Sequence, residues 1–185
     1  KRLKVHGRNN LLKNNRYILL ANHSSLFDIM AIMAFYPGVA WFGREHLLRI
    51  PLFGKLLKMI NYIPMKAGDF RNTKQMISNL AERCMGNTVA IFPEGTRTLD
   101  GSINDFKKGF LHVLKATELS ILPVTLNGFY NFKPKDRFYI NFRSRLGVVV
   151  HPPIHHKDLI DKSDREIVEH IKRIIESAYT PSFLR

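Results

Sequence analysis

Apolar residues in this chain fall into short runs whose spacing alternates between strand-like and helix-like periods. Leu3 to Val5 and Tyr17 to Ala21 read as strands, with Asn9 to Asn15 as a polar turn region between them. Ser25 to Phe35 reads as a helix and Val39 to Phe42 as a short buried strand. Leu52 to Met59 reads as a helix opening just after Pro51, whose fixed φ suits a helix start. Ile77, Leu80, Ala81 and Cys84 recur at i, i+3, i+4 and i+7, one apolar stripe on a helix that Gly86 ends. Thr88 to Phe92 is the next strand, and it delivers Pro93-Glu94-Gly95 at its carboxyl end.

Further on, Phe106, Phe110, Val113 and Leu114 mark a helix, and Ile121 to Leu126 a strand. Phe138, Ile140 and Phe142 alternate with Tyr139, Asn141 and Arg143, a half-buried strand pattern, with Leu146 to Val150 as its neighbour. Ser163 and Glu166 have capping-box spacing, and Ile167, Ile171, Ile174 and Ile175 line the amphipathic helix that follows. Strands alternating with helices predict an α/β fold, a single domain with a central sheet flanked by helices. The consecutive strands of the second half make that sheet mixed, though largely parallel. A length of 185 residues fits one domain, and no repeat, low-complexity tract or internal linker divides it.

Composition adds a sign to this picture. The chain has 29 Lys+Arg against 15 Asp+Glu, a formal net charge of +14. Such an excess favours anionic partners: phospholipid head groups, phosphorylated cofactors, acidic carrier proteins or nucleic acid. A basic surface that is merely solvated stays open beside them. Cys84 is the single cysteine, so neither a disulfide nor a cysteine-based metal cluster forms within the chain, which fits a reducing compartment. Cys84 itself reads as buried filler on its apolar stripe. The chain begins at Lys1 rather than Met and shows no signal peptide.

The longest apolar segment, Ile29 to Phe42, is broken by Pro37 and Gly38 and falls short of the ~18–20 residues that a membrane span needs. Leu47 to Met65 interleaves Leu, Ile, Phe and Met with Arg49, Lys55 and Lys58. That mixture suits a surface lying on anionic lipid, and equally suits core helices with basic outer faces.

Two strings carry the chemistry. In Asn22-His23-Ser24-Ser25-Leu26-Phe27-Asp28, His23 follows the apolar strand and so sits at its carboxyl end, where α/β proteins place their ligands. Asp28 lies five positions on. Five residues turn an ideal helix by about 140°, so the two side chains share no helical face. They meet if His23 precedes the helix and folds back over its first turn. The carboxylate then binds one ring nitrogen, fixes the tautomer and leaves the other nitrogen to take a proton. This is the base-and-orienter half of a catalytic triad. Ser24 and Ser25 serve as well for a helix N-cap as for a nucleophile, so the nucleophile would come from the substrate as an alcohol. The competing reading is a strand-end histidine with Asp28 merely favoured near a helix N-terminus.

In Phe92-Pro93-Glu94-Gly95-Thr96-Arg97, Gly95 permits a tight turn and close backbone approach. Arg97 can grip a phosphate with a bidentate fork, and Glu94 can hold that Arg or contact a substrate hydroxyl. A turn with a surface salt bridge is the alternative.

Together these residues resemble the lysophosphatidic acid acyltransferase family, within the wider glycerolipid acyltransferases. Its members carry a histidine–four residues–aspartate block, matched at Asn22 to Asp28, and a Phe-Pro-Glu-Gly-Thr-Arg block, matched at Phe92 to Arg97. Phe42-Gly43-Arg44-Glu45 through Arg49-Ile50-Pro51-Leu52-Phe53-Gly54 is similar to the family's second block. Phe106-Lys107-Lys108-Gly109 resembles the stretch usually found after the third, and Ile121-Leu122-Pro123-Val124 the fourth. The resemblance implies a glycerol-3-phosphate acyltransferase-like fold. It implies His23 as general base with Asp28 as its partner, and Glu94, Gly95, Thr96 and Arg97 at the acceptor, Arg97 on its phosphate. Arg44 and Arg49 of the second block are further implied substrate contacts. Many relatives carry Lys at Arg44, and Arg keeps the charge but not the point-like geometry. The family commonly has apolar helices before its first block, and this chain starts too late to show them.

The implied activity moves a fatty acyl group from a thioester, acyl-CoA or acyl carrier protein, to the hydroxyl of lysophosphatidate, with no cofactor. Glycerol-3-phosphate, another lysophospholipid or an aminoacyl lipid are rival acceptors within the family. The expected partners are those substrates and an anionic membrane surface, with the domain on its cytosolic face. A non-catalytic module binding anionic lipid or nucleic acid is the rival outside the family. Nucleic acid is disfavoured because no nucleic-acid-binding motif is present. His151, His155 and His156 cluster near Pro152-Pro153-Ile154, but adjacent histidines point apart on a regular element, and no metal is expected there.

Overall fold

The computed structural model describes residues 3–12, 15–51, 53–65, 82 and 86–180. The strands are β1 (Lys4–His6), β2 (Tyr17–Ala21), β3 (Ala40–Arg44), β4 (Tyr62–Met65), β5 (Val89–Ile91), β6 (Ser120–Asn127) and β7 (Gly147–Val150). The helices are α1 (Phe27–Phe35), α2 (Phe53–Met59), α3 (Gly109–Ala116), α4 (Phe129–Phe132) and α5 (Asp164–Ser177). A short 3-10 helix, Glu45–Arg49, joins β3 to the segment before α2. The predicted stripe Ile77, Leu80, Ala81 and Cys84 lies outside the described residues.

The sheet order is β1-β7-β6-β2-β5-β3-β4. All its neighbours are parallel except β6 and β7, so the sheet is mixed but largely parallel, as the alternation of elements predicts. β2 sits inside it with β5 and β6 on either side, and all five of its residues are buried. Successive residues point to opposite faces. Ile18 and Leu20 meet Phe110, Leu111, Val113 and Leu114 of α3 and Ile167, Ile171 and Ile175 of α5. Tyr17, Leu19 and Ala21 meet Ala31, Ile32 and Phe35 of α1 and Phe129. Helices thus cover both faces of a parallel strand that reads as one continuous apolar run. The capping box forms as predicted: Ser163 Oγ accepts from the Glu166 amide, and Glu166 Oε2 accepts from the Ser163 amide at 2.8 Å.

Three expectations are corrected. The alternating segment 138–142 is not a strand. It is irregular, and Phe138 and Phe142 are exposed. Its intended neighbour β7 has both edges taken, by β6 and β1, so no ladder is open to it. The helix expected from Phe106 begins at Gly109. Phe106 is nevertheless buried in the core, ahead of α3. β4 was not foreseen. Pro64 interrupts its apolar run, and Pro is tolerated in a ladder chiefly on an edge strand, which β4 is among the described residues.

Candidate active site

Parallel pairing of β2 with β5 brings the two sequence strings together, because their carboxyl ends lie side by side. Asn22 sets where the first string leaves the sheet. Its side-chain Nδ2 donates to Leu126 O at 3.0 Å and its Oδ1 accepts from Leu126 N at 2.8 Å, which extends the β2–β6 ladder by one residue.

His23 comes next, before α1, and its ring folds back over the first turn of that helix. Nδ1 lies 2.8 Å from Asp28 Oδ2. The same oxygen accepts the backbone N–H of Ser24 at 2.7 Å and of Ser25 at 2.8 Å. Asp28 is fully buried, and its Oδ1 has no hydrogen-bond partner among the described residues. A buried carboxylate held by amides at a helix N-terminus is a fixed negative pole for the imidazole. The ring itself stacks on Phe92 at 3.8 Å between centroids, 10° from parallel, and Trp41 stacks behind Phe92 at 5.5 Å. Among the described residues Nε2 has no hydrogen bond, and the side chain is 15% exposed. Ser25 lends Oγ to the amide of Phe27 at 3.4 Å, a turn contact rather than a nucleophile's position.

The second string grips the first through its main chain. Glu94 Oε1 accepts the His23 N–H at 2.6 Å, and the Thr98 N–H donates to His23 O at 3.0 Å. Glu94 Oε2 accepts both the backbone N–H of Asn104 at 2.9 Å and its side-chain Nδ2 at 2.8 Å. Glu94 is buried, which pushes its carboxyl up to about 7 against the N–H donors that pull it down. Gly95 adopts φ +70°, a left-handed turn conformation that L side chains rarely take.

Arg97 is half-buried. Burial pulls its guanidinium down from the ordinary value, and the Asp28 charge pushes the other way. No carboxylate pairs with Arg97 among the described residues, so Glu94 does not hold it. Two cations unforeseen from the sequence flank the same turn. The Lys107 side chain lies against Gly95, where an added Cβ would sit 3.4 Å from its Nζ. Lys135 Nζ donates to Thr96 Oγ1 at 3.1 Å. Neither is in an ion pair among the described residues. Asn104, Lys107 and Lys135 had no sequence signal beyond the Lys of Phe106-Lys107-Lys108-Gly109, since only the folded chain places them here.

Among the described residues no hydrogen bond joins the site to the other predicted residues. Arg49 ends the 3-10 helix, exposed, and no hydrogen bond joins it to the others. Arg44 closes β3, and its side chain lies outside the described residues. His151 is buried, with Nε2 2.8 Å from Thr125 Oγ1, while His155 is exposed on the following turn. Among the described residues no helix is long and apolar enough to cross a membrane.

The Acyltransferase family model matches residues 2–127. A chloroplastic 1-acyl-sn-glycerol-3-phosphate acyltransferase of Arabidopsis thaliana is 29% identical over 83% of this chain and 44% of its own length. A 1-acyl-sn-glycerol-3-phosphate acyltransferase of Borreliella burgdorferi is 32% identical over 80% of this chain and 58% of its own. The chain therefore spans about half the length of these curated relatives. The crystal structure of the 1-acyl-sn-glycerophosphate acyltransferase PlsC from Thermotoga maritima superposes with a TM-score of 0.74 at 28% identity, over 96% of this chain and 70% of that one. By the family match, the shared fold and the two strings at adjoining strand ends, the chain belongs to the acyltransferase family.

Proposed function

We propose that residues 1–185 form the acyltransferase domain of a membrane-associated enzyme that esterifies the free hydroxyl of lysophosphatidate, making phosphatidate. The acyl group comes from a thioester, acyl-CoA or acyl carrier protein, delivered from the cytosolic side. The observation that carries this reading is the 2.8 Å contact of His23 Nδ1 with Asp28, which leaves Nε2 unengaged beside a turn flanked by cations. In the reaction, His23 Nε2 takes the proton of the acceptor hydroxyl. The acceptor oxygen attacks the thioester carbonyl, the C–S bond breaks, and the thiolate recovers a proton from His23. Asp28 stabilises the imidazolium between these steps. Backbone amides, with Arg44 as a further contact, stabilise the oxyanion.

Arg97 binds the acceptor phosphate, with Lys107 and Lys135 adding charge around it. Gly95 and Thr96 shape the turn, and Arg49 contributes from the second block. Glu94 acts by holding the His23 and Asn104 segments together. The names of the relatives support lysophosphatidate as the acceptor. The test is headgroup-resolved product analysis of purified protein with lysophosphatidate, glycerol-3-phosphate and other lysophospholipids, each with both thioester donors. Phosphatidate as the main product supports the reading. Salt-sensitive lipid binding with no turnover on any acceptor sinks it.

A further inference from the structure

The connection from α4 to β7 carries side chains that the fold does not use. Residues 133–146 leave the carboxyl edge of the sheet after β6 and rejoin it at β7, which runs antiparallel to β6. The excursion therefore lies on the edge that presents His23 and Arg97. Lys135 ties it to Thr96, and the Asn141 N–H donates to Phe132 O at 2.8 Å. Phe142 meets Phe132 edge-on at 6.0 Å, and Phe132 meets Phe27, the neighbour of Asp28, at 4.9 Å.

Beyond these anchors the segment is apolar and uncovered. Phe138 is 103% exposed, Phe142 71%, Tyr139 51% and Ile140 38%. Soluble monomers rarely leave such a cluster to water. Lys133, Lys135, Arg137, Arg143 and Arg145 surround it, against Asp136 alone. Arg143 and Arg145 are exposed and form no ion pair among the described residues. Leu26 and Met30, from the start of α1, and Leu99 add exposed apolar side chains on segments that follow β2 and β5 at the same edge.

We infer that residues 133–145 are a lipid-docking loop. Phe138, Tyr139, Ile140 and Phe142 enter the head-group boundary of an anionic phospholipid bilayer, and Arg143 and Arg145 stay among the head groups. Aromatic tips with basic flanks are what such an interface selects: the rings bury and the cations meet phosphate. The inference rests on the acyl-transfer reading in that the acceptor is itself a lipid. It also sets the orientation, with the catalytic edge facing the bilayer.

Phe138→Trp tests this directly, with the buried Trp41 of the parent as background. Vesicles of brominated phosphatidylcholine, with and without phosphatidylglycerol, are added to the protein. The introduced indole should shift to the blue and be quenched, more with the anionic lipid and less in raised salt. Adding Arg143→Gln and Arg145→Gln should weaken the response roughly tenfold or more in lipid concentration. Tyr139→Trp gives a second position should the first variant be poorly folded. An indole that stays unquenched in both positions while the protein is bound to vesicles overturns the inference. So does a blue shift without lipid that is lost on dilution, which would mean a second copy covers the loop. A blue shift on adding an acidic acyl carrier protein but not vesicles overturns it in favour of carrier docking. Quenching needs no turnover, so an inactive protein whose indole still inserts sinks only the acyl-transfer reading and keeps the loop.

Discussion

Glu94 Oε1 accepts the backbone N–H of His23 at 2.6 Å, across 71 residues of sequence. With Thr98 N–H on His23 O, both main-chain groups of the histidine are held by the segment that ends in Arg97 and Thr98. The position of His23, the proposed base, and that of the Gly95–Arg97 turn, the proposed anion site, are therefore one structural variable. Glu94 is a positioning residue in this arrangement: three N–H donors occupy its two oxygens, and it is buried.

That burial predicts a pH dependence. The Glu94 carboxyl is pushed up to about 7 from an ordinary 4.5. A folded-state pKa above the unfolded one means that the folded protein binds this proton more tightly, so its contribution to stability falls as pH rises through that window. Glu94→Gln carries no such proton. Denaturant midpoints of parent and variant, compared between about pH 4 and about pH 8, should shift against the parent as pH rises and level off at both ends. A constant difference would show that Glu94 binds its proton equally well in the folded and unfolded states, so that burial does not shift it.

His23→Ala should lose ~10²–10⁴-fold in turnover with little change in thermal stability, because the role proposed for the ring is proton transfer. Asp28 separates two effects. Asp28→Asn keeps an oxygen for the Ser24 and Ser25 amides but loses the charge and the tautomer control, so turnover should fall while the fold holds. Asp28→Ala leaves those two buried N–H groups unpaired at ~1–3 kcal/mol each, so it should lose stability as well. Steady-state rates and melting curves on the three variants decide it. Near-parental turnover in His23→Ala would end the proposed mechanism.

Arg97→Ala should raise the acceptor KM with a smaller change in kcat. Losing one charge-assisted contact costs ~1.5–3 kcal/mol, roughly ten- to hundredfold. Lys107→Ala should raise it less, since its exposed ammonium is screened by solvent. Saturation curves in the acceptor, at fixed donor, are the measurement. An Arg97 variant with parental KM and kcat would make this guanidinium a surface charge.

The segment from Leu47 to Met65 should make a weaker membrane contact than its composition proposes. Leu57 is buried, while Arg49, Lys55 and Lys58 are exposed. α2 runs from the carboxyl end of β3 back to the amino end of the parallel β4, so of the three cations Arg49 stands nearest the carboxyl edge of the sheet. Replacing all three cations by Gln should weaken co-sedimentation with anionic vesicles by at most about 1 kcal/mol per residue, and Arg49→Gln alone should account for most of it. Equal losses from Lys58→Gln alone would place the bilayer against the helix layer instead.

Much of this protein is legible in the order of its residues because the signals are local. The apolar run of β2, the Ser163–Glu166 cap and the glycine turn after β5 each lie within a few residues. The pairing of His23 with Asp28 needs only one turn of α1 to form. The tertiary structure alone decided that β2 and β5 are neighbours, which puts Glu94 on the His23 amide and Asn104, Lys107 and Lys135 around the Glu94–Thr96 turn. It also decided that the alternating residues 138–142 form no strand. Alternation states only that a segment can lie on a sheet. Whether it does depends on a free row of backbone N–H and C=O groups to pair with, and β1 and β6 had already taken both edges of β7.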